Sequence, residues 1–349
     1  MANWNLLVID FRYHLVSIIA VFLALAVGIA VGANALRPAT EAFLSKAASE
    51  VSKKNNSLTQ QNAMLQQQIN ADQAFAQAGS TRLLAHLLTG QSAVLVTAPG
   101  ADSSTISGIK TALGQAGATV TGQVNLSSQF FDTSAPTEEA LSTLAQQLKP
   151  AQVSLPGQTP DAQIAGQQAA AQLIAASVVS KDAPALTTAQ SQEVLSGFAN
   201  QGYLQVSAQN GGTTLPPATL AVVVIPSTPP AAGDSSPANL GLIAMAVQLQ
   251  GSGRGTVLAG PVAGSGSGSA IDEVVSGSGQ VSTVDNADTE VGQIIVAQAL
   301  AELLAGHPAA SFGIAPGTAP SPAPTPSGSS SAIPSVTPSA TVTRQAGGR

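Results

Sequence analysis

Hydrophobic patterning divides the chain into four stretches with different periods. Residues 15–36, LVSIIAVFLALAVGIAVGANAL, carry no charge. As a helix this run covers roughly 33 Å, enough for a bilayer core. The apolar core of a secretory signal is shorter, about 7–15 residues. Trp4, Phe11 and Tyr13 precede the run, as interfacial aromatics do. Ala20, Ala24, Gly28 and Gly32 recur every fourth residue on one stripe. Such small residues let two spans approach closely. The pattern predicts a short N-terminal segment (1–14), then a transmembrane helix (15–36) that self-associates through the stripe. Ala33, Asn34 and Ala35 also form the A-x-A pattern of a cleavage site. A retained anchor and a removed leader are both open, and the length of the run favours retention.

Residues 41–71 contain neither Gly nor Pro, and Leu44, Val51, Leu58 and Leu65 are seven apart. Taken as d positions, they place Ala48, Asn55, Asn62 and Ile69 at a. This predicts a short coiled coil over 41–76, with a spacer of roughly 46 Å. Asparagine at a favours two parallel strands in register. A homodimer joined through span and coil follows. The alternative reading is one amphipathic helix packed on the domain that follows.

From residue 91 short Val-rich runs alternate with helical spacing. Strands are predicted at 93–99, 118–126, 203–208, 220–226, 255–260 and 281–285. Helices are predicted at 103–116, 137–148, 161–180, 187–200, 237–250 and 289–305. The alternation indicates the α/β class, a doubly wound, Rossmann-like domain spanning 91–307. Residues 314–349 are rich in Ala, Pro, Ser and Thr and predict a disordered tail.

Composition narrows the function. Of 349 residues only 9% are charged and 3% aromatic, and the net charge is −6. That lacks the basic footprint of a nucleic-acid binder. Cysteine is absent, which removes disulfides, thiolate metal ligands and a thiol nucleophile. The scarcity of aromatics argues against a membrane β-barrel, which needs aromatic girdles. Arg12 offset by Asp10 precedes the span, while Arg37, Lys46, Lys53 and Lys54 follow it. Read literally, the positive-inside rule would place the C-terminal part in the cytoplasm. The later basic residues lie in a helix interleaved with Glu41 and Glu50, and the rule weakens for long translocated domains, so the large domain is assigned outside.

The loop TAPGADSST at 97–105 has neither a dinucleotide fingerprint nor a P-loop. GSGSGS at 264–269 offers backbone N–H groups but no neighbouring Lys or Arg, and reads as a flexible surface loop. Asp102, Asp132, Asp285 and Asp288 fall near strand ends, where open α/β sheets bind ligands. Asp is also an ordinary turn and cap residue. G-x-S-x-G and H-E-x-x-H are absent. The three histidines are His14 beside the span, His86 in a predicted helix and His307 after the last helix. No catalytic or cofactor-binding residue emerges, and the chain is expected not to be an enzyme.

The ordered set of segments resembles the mycobacterial copper transport protein B family of actinobacteria. It comprises FRYHLVSIIAVFLALAVGIAVGANAL at 11–36, LTQQNAMLQQQI at 58–69, AVLVTAPGAD at 93–102 and GATVTGQVNLSSQFFD at 117–132. GTVLAG at 255–260 and VSTVDNADTEVGQIIVAQALAELLAGH at 281–307 complete it. The resemblance implies a membrane-associated envelope protein in copper homeostasis or efflux, with copper ions as possible partners beside the membrane. Cu(I) prefers Cys and Met sulfur, and Cu(II) prefers imidazole and other nitrogen or oxygen ligands. Met1, Met64, Met245 and the three histidines are scattered without ligand spacing, so no copper ligand is carried over. The expectation is a single-pass protein with its N-terminus in the cytoplasm and its large domain outside. The alternative is a dimeric envelope scaffold without a metal role.

Overall fold

A computed structural model of the chain describes residues 5–155, 164–209, 211–228, 237–277 and 279–322. The side chains of residues 5–11, 34–41 and 237 fall outside that description, as does the predicted tail from 323 onward.

Helix α1 runs without a break over Asn5–Leu84. The sequence separated span and coil at residues 37–40, where Pro38 stands, but the backbone is helical through that point. Two compact units divide the chain, Met1–Ala74 and Phe75–Arg349. The first is helical throughout its described residues. Its segment Arg12–Ala33 has mean hydropathy 2.8 and is 0% buried within the chain, long and apolar enough to cross a membrane.

The second unit is mixed α/β. After the end of α1 come β1 (Ser92–Thr97), α2 (Ser103–Gln115), β2 (Thr119–Leu126), α3 (Ala135–Leu148), α4 (Ala165–Val178) and α5 (Thr188–Asn200). Then follow β3 (Leu204–Ala208), β4 (Leu220–Val224), α6 (Pro237–Ser252), β5 (Gly255–Ala259), α7 (Ala270–Ser276), β6 (Ser282–Val284), α8 (Glu290–Leu304) and β7 (Ser311–Phe312). The strands form one seven-stranded sheet in the order β3-β2-β1-β4-β5-β6-β7. Every pairing is parallel except that of β2 with β3. Apolar alternation does not report strand direction, so the reversal of β3 was not legible in the sequence. Helix α7 and the two-residue β7 are too short to give a period.

The central strands are apolar throughout because both faces of the sheet are covered. In β1, Val94 and Val96 join one core, with residues of α3 to α7, while Ala93 and Leu95 join a second, with α2, α8 and Leu84. In β4, all five residues LAVVV are buried. Helix α4 is buried along most of its length, and its Ala-rich sequence lets neighbours approach closely. A Cβ on Gly166 would lie 2.3 Å from the Glu138 carbonyl oxygen, and one on Gly241 of α6 would lie 2.7 Å from Gln167 Oε1. Helix α5 starts at a capping box, in which Gln190 N–H donates to Thr187 Oγ1 and Thr187 N–H donates to Gln190 Oε1.

His86 corrects the sequence reading. It is exposed, lies past the end of α1 and has φ 67, a left-handed conformation uncommon outside glycine.

Truncating the fully buried Leu173 of α4 tests this packing. Leu173→Ala should cost about 2–5 kcal/mol in denaturant unfolding. Leu83→Ala, at a site 55% exposed, should change stability by less than about 0.5 kcal/mol.

Candidate functional site

The switch point of the sheet lies between β1 and β4, whose following helices α2 and α6 pack on opposite faces. Open α/β sheets bind ligands in that crevice. Here the described backbone closes it. Ala98 N–H donates to Val224 O at 2.9 Å, and Ser227 N–H donates to Gly100 O at 3.0 Å. Gly264 packs so tightly on Pro226 that a Cβ would lie 2.1 Å from its carbonyl oxygen.

The carboxylates near the strand ends are engaged locally. Asp102 caps α2, accepting from Thr105 N–H at 2.9 Å and from the Ser104 hydroxyl. These bonds, that of Ser104 foremost, hold its carboxyl below the usual range. An anion at this helix terminus would meet a negative charge already in place. Asp132 accepts from Ser134 N–H, Thr137 Oγ1 and Ser134 Oγ, which lower its pKa in that order. Asp288 accepts from Val262 N–H at 3.1 Å.

Asp285 is 1% exposed and accepts from Ile314 N–H at 2.8 Å and Ala315 N–H at 2.9 Å. Gly313, at φ 137, leaves room for this grip, since a Cβ there would lie 1.8 Å from Asp285 Oδ1. Residues 311–319 are therefore fastened to the sheet end. Each of the four aspartates anchors its own loop or helix start, and they do not converge on a shared pocket.

The GSGSGS segment is not the loose loop that its composition suggested. Ser265 and Ser269 are buried. The N–H groups of Gly264, Ser265 and Ser269 donate to Pro261, Val262 and Gly266, and Gly268 N–H donates to Asp272 Oδ2. Four of the six amides of the segment, those of Gly264, Ser265, Gly268 and Ser269, are thus engaged by neighbouring carbonyls or by Asp272.

Two polar features had no signal in the sequence. Glu138, in the first turn of α3, is buried and accepts Gly166 N–H at 2.7 Å, while its Oε1 has no partner. Burial holds this carboxyl above its usual range, with the N–H groups of Gly166 and Gln167 opposing and Asp132 adding to the rise. Neither side-chain polar atom of the buried Gln167 is paired. Both residues belong to helices whose spacing reports apolar faces, not which polar side chain is trapped beneath them. The second feature is a groove of about 290 Å³ among the end of α1, α2 and α8. Ser80, Ser107, Thr111, Glu290 and Gln293 are among its lining residues. It carries hydroxyls, amides and one carboxylate, with no cation and no aromatic platform.

Copper donors do not gather. Among the described residues no group of three or more His, Cys, Asp or Glu could hold a metal ion. His307 Nδ1 contacts the Glu302 carboxylate, Met245 is fully buried in the core and Met64 is 62% exposed on α1. Met1 lies outside the described residues.

Most of the exposed large apolar side chains among the described residues lie on α1. Leu44, Val51, Leu58, Leu65 and Ile69 are all exposed, on the same helix as Ala48, Asn55 and Asn62. Helix-surface bonds reinforce the segment, with Thr59 Oγ1 donating to Asn55 O at 2.9 Å and Gln66 Nε2 to Asn70 Oδ1 at 3.3 Å. In the span, a Cβ on Gly28 or Gly32 would meet nothing within 4 Å. Ala20 and Ala24 are likewise exposed.

Comparisons with known proteins agree on one relationship. A family model described as copper transport outer membrane protein, MctB, matches residues 8–323. Proteins named copper transporter MctB from Mycobacterium tuberculosis and Mycobacterium bovis are each 28% identical over 254 residues. The alignments cover 72% of this chain and 78% of theirs.

Two substitutions test the buried carboxylates. Asp285→Ala strands two N–H groups and should cost at least about 2 kcal/mol in denaturant unfolding. For Glu138 the folded pKa lies above the unfolded value, so its favourable contribution is lost as pH rises through the folded pKa. Glu138→Gln keeps an acceptor for Gly166 and never charges. Its Tm relative to the parent should therefore climb as pH rises from about 4.5 towards neutral, and a constant difference across that range would remove the burial argument.

Proposed function

The chain belongs to the MctB family of copper transport outer membrane proteins, and on that premise we propose that it is a single-pass, membrane-anchored envelope protein acting in copper homeostasis as an efflux component. The observation that carries the reading is the extent of the family match, which takes in both the exposed apolar helix and every strand of the α/β unit. A helix with no cover inside the chain is stabilised by lipid in place of protein. The N-terminus lies in the cytoplasm and the α/β unit outside. That unit acts as a doubly wound, Rossmann-like scaffold and not as an enzyme. The chain works as a homodimer, its helices joined by a coiled coil with Leu44, Val51, Leu58 and Leu65 at d.

Copper enters this reading as cargo. Its preferred donors are sulfur for Cu(I) and imidazole, nitrogen or oxygen for Cu(II). The dispersed positions of His86, His307, Met64 and Met245 support a role exercised through assembly. That same dispersal favours the second reading, a dimeric envelope scaffold without a metal role.

Copper content of a strain lacking the gene separates the two. Loss of the gene should raise cellular copper. The full chain should restore it, and a version lacking residues 1–36 should not. Unchanged copper together with a defect in wall integrity would favour the scaffold. The N-terminal mass of the mature protein tests the anchor, and a chain beginning at Leu36 would overturn it.

A further inference from the structure

We propose that two copies of the chain pair along the Leu44–Ile69 seam alone, with Gly28 and Gly32 turned away from the partner helix. The inference rests on the homodimer reading above and deepens it, because the sequence had assigned both surfaces to one pair.

The argument begins with the continuity of α1. Its backbone is helical from Asn5 across residues 34–41, Pro38 included, so span and coil within the first unit share one helical winding. Their faces are therefore fixed by winding. At about 100° per residue, Gly28 lies roughly 180° and Gly32 roughly 140° around the helix from the midline of Leu44 and Ala48. At the coiled-coil winding of about 103° per residue the offsets become roughly 130° and 180°. Under either winding both glycines occupy the far side. Under the tighter winding the two stripe residues further from the coil swing towards the seam, Ala20 to an a position and Ala24 to the flanking e position.

Crossing angle leads to the same exclusion. Small residues four apart suit a right-handed crossing of about −40°, whereas a heptad seam suits a left-handed one of about +20°. One pair of uninterrupted helices cannot hold both.

A second copy is the occupant that the seam specifies. Asn55 and Asn62 at a positions are satisfied by their own counterparts in a parallel, in-register pair, and they penalise other registers and larger bundles. The flanking e and g positions are Ser45, Ala47, Ser52, Lys54, Thr59, Gln61, Gln66 and Gln68. With Lys54 the one charge among them, nothing there selects an oppositely charged foreign helix.

Because the chain has no cysteine, any introduced thiol is unique. The full chain, purified in detergent and in lipid nanodiscs, would be oxidised mildly as Val51→Cys, Leu58→Cys, Gly28→Cys, Gly32→Cys and Lys53→Cys. Lys53 lies at f, on the outside of the coil. The expected result is disulfide-linked dimer for Val51→Cys and Leu58→Cys, at least fivefold above the other three. The double change Gly28→Leu with Gly32→Leu should leave the dimer mass unaltered. Asn55→Leu with Asn62→Leu should admit larger assemblies. Linkage at Gly28 or Gly32 equal to or above that at Leu58 overturns the inference while leaving the homodimer standing. No linkage anywhere, with a monomeric mass by light scattering, overturns the homodimer and the inference with it.

Discussion

The parallel pairing of β1 with β4 is the constraint around which the α/β unit is arranged. Residues 93–97 of one strand lie beside 220–224 of the other, and both strands are almost wholly buried. Two apolar faces require cover on both sides, and that demand places α2 and α8 on one face and α4 and α6 on the other. It also pins the strand ends together, since Val224 O receives Ala98 N–H and Gly100 O receives Ser227 N–H. The contact that organises the core thus also closes the place where this class of sheet usually admits a ligand.

Polar groups at the sheet's ends follow the same economy. A buried N–H left unpaired costs about 1–3 kcal/mol, so each carboxylate there is drawn to backbone donors. Asp102 satisfies the start of α2, and Asp285 secures Ile314 and Ala315. Glu138 meets the start of α4 at the expense of being buried itself. These residues serve the fold.

Function then turns to what the single chain leaves unsatisfied. The exposed apolar surfaces of α1 are of two kinds, one suited to lipid and one to another helix. On the pairing proposed above, the face of α1 used in the coil would set which face of the span meets lipid.

Much of this was legible in the residues. The Val-rich strands and the helical spacing through Ile106, Ile109 and Leu113 report burial through their period, because period reflects which side of an element is wet, and the uncharged run before Arg37 reports a candidate span through its length and hydropathy. The family was readable in the order of those segments. The roles of Glu138 and Asp285 were not, since their partners lie 28 and 29 residues away in sequence. The antiparallel β3 and the closed crevice depended on the same long-range packing, whereas four amides of GSGSGS are taken up in local turns. The sequence by itself determined the longer elements and which of their faces avoid water. Only the tertiary structure decided strand direction, the engagement of each carboxylate and the continuity of α1 through Pro38, because each depends on backbone hydrogen bonds or distant neighbours that local pattern does not encode.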